Sequence, residues 1–71
     1  MANWVVWTID DGVLIEADKY AQCQEYVRKL ISHPQPFKLI RAGLHSASAA
    51  GKTYYVSTKR IAYQEGIISK G

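Results

Sequence analysis

From Trp4 to Ile9 every side chain is apolar, aromatic or β-branched, and Val13, Leu14 and Ile15 repeat that character after a short polar break. The break contains Asp11-Gly12, a dipeptide that readily takes positive φ in a tight turn, so the pattern predicts a β-hairpin. Pairing Asp10 with Val13 sets Ile9 opposite Leu14 and Thr8 opposite Ile15. Val5, Trp7, Ile9 and Leu14 then share one face, and Trp4, Val6, Val13 and Ile15 share the other. A helix covers one such face. The second is expected to bury itself against a neighbouring subunit or partner, with Trp4 and Trp7 as interface residues and a homodimer as the simplest assembly.

After the hairpin the apolar period changes. Tyr20, Cys23, Val27, Leu30 and Ile31 fall on one helical face, Lys19, Gln22, Gln24, Glu25, Arg28 and Lys29 occupy the remainder, and Asp18 is the expected N-cap. Arg28 and Lys29 suit the negative end of the helix dipole, and Pro34 and Pro36 stop the helix beyond Ser32-His33. Phe37 to Leu44 predicts a third strand, with Gly43 as a bend. Ser46 to Gly51 is small and polar enough to be a loop. Thr53 to Ser57 predicts a fourth strand and Ile61 to Gln64 a short fifth, joined by Thr58-Lys59-Arg60. The expected fold is α+β: one domain over residues 1–71, with a single helix packed on a small antiparallel sheet in the order β-β-α-β-β-β.

Length and composition limit what such a chain can be. With 71 residues, 48% of them hydrophobic and 21% charged, it matches an ordered domain with a thin core. No apolar run reaches the roughly 20 residues needed to span a bilayer, and the first residues lack the pattern of a secretory signal, so a soluble cytoplasmic protein is expected. The single cysteine, Cys23, fits a reducing compartment.

Charge changes the picture more. Residues 1 to 25 carry five acids against Lys19 alone, whereas residues 26 to 71 carry eight basic residues against Glu65 alone. No acid lies between Tyr26 and Gln64. Such polarity suits a basic half that meets nucleic acid, a phosphorylated ligand or an acidic protein, unless the acidic hairpin folds back and neutralises it.

Gly51-Lys52-Thr53 ends like a phosphate-cradling Walker loop, but Ser46 stands where that motif needs glycine and a strand follows where it needs a helix. Cys23, His33 and His45 are too scattered for a metal site, so no metal or cofactor is expected. Asp10 and Asp11 are explained by the turn itself. No catalytic constellation emerges, and an enzyme is not expected. The remaining candidates are Arg41, Lys52, Lys59 and Arg60 as anion contacts, drawn from a basic set that includes Lys38, with Tyr54 or Tyr55 as a stacking partner. The expected function is therefore non-enzymatic binding of nucleic acid or a phosphate-bearing nucleotide through the basic half. The alternative is a protein-interaction or inhibitor module that docks by an apolar sheet face or by the acidic hairpin.

Overall fold

The structure is a computed structural model that describes residues 3–31, 37–49 and 51–68. Its elements are β1 (Trp4–Thr8), β2 (Gly12–Ala17), α1 (Tyr20–Leu30), β3 (Lys38–Arg41), β4 (Leu44–Ala49), β5 (Lys52–Thr58) and α2 (Lys59–Gln64). The five strands form one antiparallel sheet in the order β2-β1-β5-β4-β3, so the last strand inserts beside the first.

The hairpin is present, with a different register from the expected one. Thr8 pairs with Gly12 and Trp7 with Val13, but Val6 pairs with Ile15, leaving Leu14 as an extra residue in a β-bulge. The bulge interrupts alternation. Leu14 and Ile15 both pack on the α1 side and Val13 on the opposite side, the reverse of the expected faces for Leu14 and Val13. Gly12 sits at φ +78° after the three-residue turn Ile9-Asp10-Asp11, and Thr8 Oγ1 accepts from the Asp11 amide at 2.9 Å.

Helix α1 buries Cys23 and Val27, as the spacing requires, and Ile31 just beyond its end, but Leu30 is exposed. Its N-cap is Lys19, one residue after the expected Asp18, and the Gln22 side-chain oxygen accepts from the amides of both residues. Val6, Ala47 and Val56 complete the core beneath it. Burying a side chain the size of valine or larger is worth roughly 1.5 to 3 kcal/mol.

Two further expectations are overturned, and with them the one-helix fold. Ser46 to Ala49 belongs to β4 rather than to a loop: its backbone pairs with β5 throughout and with β3 at its start. Weak β-formers are held there by pairing with a distant strand, a tertiary effect that overrides local propensity. Ile61 to Gln64, expected as a strand, lies in α2. Thr58 caps that helix, its Oγ1 accepting from the Ile61 amide at 3.3 Å.

Helix α2 covers the face opposite α1. Val5, Trp7, Leu44 and Ala62 form this second core, with Val13, Tyr55, Ile61, Ile67 and Ile68 packed against them. Trp7 is 4% exposed, stacks on Tyr55 at 4.4 Å and donates its indole N–H to Ser57 Oγ at 2.9 Å. The burial for which the sequence pattern invoked a second subunit is thus supplied within the chain.

Ser57→Ala should cost about 1 to 3 kcal/mol in chemical denaturation, because it strands the buried indole N–H of Trp7. Gly12→Val should cost about 1 kcal/mol or more; a Cβ meets nothing within 4 Å there, so the loss reports the positive φ alone. An unchanged unfolding midpoint in either variant would contradict the corresponding geometry.

Candidate functional site

The candidate anion contacts are divided between two ends of the sheet. Lys52 opens β5, beside the turn between β1 and β2, whereas Lys59 and Arg60 follow its other end, about 20 Å away at the usual rise per strand residue. Arg41 lies toward the same end of the sheet as Lys59, because Gly43 at the β3–β4 turn accepts from the Thr58 amide at 3.1 Å. Tyr54 and Tyr55 point to opposite faces. Tyr54 packs toward α1 with the Lys52 ammonium 5.7 Å from its ring centre, and Tyr55 packs toward α2 against Trp7. Trp4 lies on the α1 side, 5.3 Å from the Tyr20 ring.

Three of the four cations also face acids. Lys52 Nζ donates to Asp11 Oδ2 at 2.7 Å, Arg41 Nη2 donates to Glu65 Oε1 at 2.8 Å, and Lys59 pairs with Glu16. Two of the acids come from the N-terminal hairpin, so the acidic segment does fold back on the basic one. The Lys52 hydrogen bond and charge, helped by Thr8, hold the Asp11 carboxyl below its ordinary range, and the same bond raises Lys52. Glu16 likewise raises Lys59. Arg60 is exposed.

Between the β1–β2 and β4–β5 turns lies an open groove of about 200 Å³, lined by Thr8, Asp10, Lys52, Thr53 and Tyr55 among others. The Gly51-Lys52-Thr53 segment sits here in a turn and strand, with its lysine engaged by Asp11. Cys23 is buried, and burial pushes its thiol up, away from the reactive thiolate. His45 packs against Tyr20 with ring centres 4.4 Å apart and planes tilted by 36°. His33 lies outside the described residues. Among the described residues no group of three or more His, Cys, Asp or Glu could hold a metal ion, and no helix is long and apolar enough to cross a membrane.

The surface that residue-type reasoning missed is β3. All four of its residues are exposed, Leu39 at 62% and Ile40 at 47%, and it is an edge strand with no strand beyond it among the described residues. Lys38 and Arg41 bracket the apolar pair. A signal was available in the sequence: Lys-Leu-Ile-Arg lacks the alternation of a strand with one buried face, and cations at its ends mark an edge.

No family model matches the chain, and no curated protein or solved structure matches it either.

The ion pairs predict a pH dependence. Asp11 has its folded pKa lowered, so its contribution to stability is present above the ordinary aspartate value and is lost as pH falls through the folded one. Lys52 and Lys59 have theirs raised, so their contribution holds below the ordinary lysine value and is lost as pH rises through the folded one. In thermal melts from neutral pH down to about pH 2.5, wild type should exceed Asp11→Asn near neutrality and converge with it at the acid end. A constant gap across that range would show that Asp11 does not act through its charge.

Proposed function

We propose that this chain is a non-enzymatic protein-interaction module that takes an extended segment of another protein as a sixth strand along β3. The observation that carries the reading is the exposed Leu39-Ile40 pair on an edge strand whose outer backbone groups have no strand partner among the described residues. Strand addition at such an edge draws affinity from main-chain hydrogen bonds and specificity from alternate side chains. Apolar surface at a strand edge is costly to leave open, so its presence favours a partner.

The division of the anion candidates supports the same preference over nucleic acid. A bound strand would have to displace Asp11, Glu16 and Glu65 from their cations and bridge both ends of β5. Exposed pairs of this kind are individually weak, but together they remove much of the field that would draw in phosphates.

Short peptides of alternating apolar and polar residues, titrated into the protein, should shift the amide resonances of Lys38 to Arg41 first. The double variant Leu39→Thr, Ile40→Thr, which keeps β-propensity, should weaken that binding at least about tenfold. A single-stranded oligonucleotide should bind weakly and respond little to Arg60→Ala. Peptides that leave β3 unperturbed, beside an oligonucleotide whose affinity falls steeply with salt and with Arg60→Ala, would overturn the proposal in favour of nucleic acid.

A further inference from the structure

The bulge in β3 specifies what its partner carries, provided that β3 is the docking edge. Ser46, His45 and Leu44 are consecutive in β4, yet they face Lys38, Leu39 and Arg41, leaving Ile40 as the extra residue. Ser46 and Leu44 lie on one face of β4, so Lys38 and Arg41 fall together on that face, the one covered by α2, and Leu39 falls on the other with His45. In a regular strand, residues three apart point to opposite faces. The bulge therefore converts a spacing of three into two cations on one side, at the separation of alternate residues on a neighbouring strand.

We infer that the added strand is acidic, with the pattern acid-apolar-acid, and runs antiparallel to β3 with its carboxylates on Lys38 and Arg41 and its apolar residue over Leu39. A second copy of β3 is a poor occupant, because pairing Leu39 with isoleucine brings lysine against arginine. One acid of the chain already occupies part of this site. Glu65, the C-cap of α2, accepts from Arg41 at 2.8 Å, and both side chains are about half exposed (42% and 50%), so an incoming carboxylate replaces it.

The test compares three capped peptides, Thr-Val-Glu-Val-Glu-Val-Thr, its glutamine counterpart Thr-Val-Gln-Val-Gln-Val-Thr, and the isomer Thr-Val-Glu-Glu-Val-Val-Thr, by titration against the whole chain. At low salt the first should bind about tenfold tighter than either of the others, an advantage lost near ~0.5 M salt. Lys38→Ala combined with Arg41→Ala should erase that advantage. Glu65→Gln should raise the affinity of the first peptide about threefold and leave the glutamine peptide unchanged. Equal binding of all three, with β3 resonances still shifting, would overturn the acidic pattern while strand addition stands. No shift at β3 with any of them would remove both.

Discussion

Strand β1 imposes the constraint on which the architecture depends: its side chains are apolar on both faces, so the sheet must be covered twice. Val6 is fully buried under α1, and Val5 and Trp7 are buried under α2 and the segment through Ile68. A small chain has little material for two layers, and this one uses a helix of eleven residues on one side and a helix of six on the other. Central placement of β1 follows, because a strand with two buried faces belongs inside a sheet, between β2 and β5, rather than at its edge. The hydrogen bond from the Trp7 indole to Ser57 satisfies a polar group that this burial would otherwise isolate.

Electrostatics follows from the same topology. Inserting β5 beside β1 carries the basic half of the chain back to the acidic hairpin, and Lys52 meets Asp11 while Lys59 meets Glu16. A sequence with halves of opposite charge thus becomes a surface of short-range pairs, in which the long-range field is smaller than the linear arrangement suggests. Arg41 pairs with Glu65 by a different route, through the proximity of the β3–β4 turn to the end of β5.

The edge strand β3 combines the usual guards against indiscriminate pairing, namely shortness, terminal cations and a bulge, with two exposed apolar side chains. Guarding and recognition are compatible here. The cations that repel a copy of the same strand attract an acidic one, and the bulge aligns those cations on one face.

The hairpin, the glycine at positive φ and the buried Cys23–Val27 face of α1 were legible in the residues, because each depends on local periodicity or turn chemistry. The bulge at Leu14 was not, since one extra residue changes which side chains share a face without changing the composition of the strand. Nor were the two misplaced elements. Ser46 to Ala49 is a strand because β5 pairs with it along its whole length and β3 joins it at Ser46, and Ile61 to Gln64 is a helix because Thr58 caps it and a bare sheet face lies beneath it. The candidate site divides in the same way. Sequence marked the cations Arg41, Lys52, Lys59 and Arg60 and, in the missing alternation of Lys-Leu-Ile-Arg, carried a signal for the exposed edge, but the distribution of the cations over two ends and their acidic partners are long-range relations. Local pattern determines which residues can bury or carry charge. Only the pairing of distant strands decides which of them meet, because contacts between residues far apart in sequence leave no trace in the periodicity of either segment.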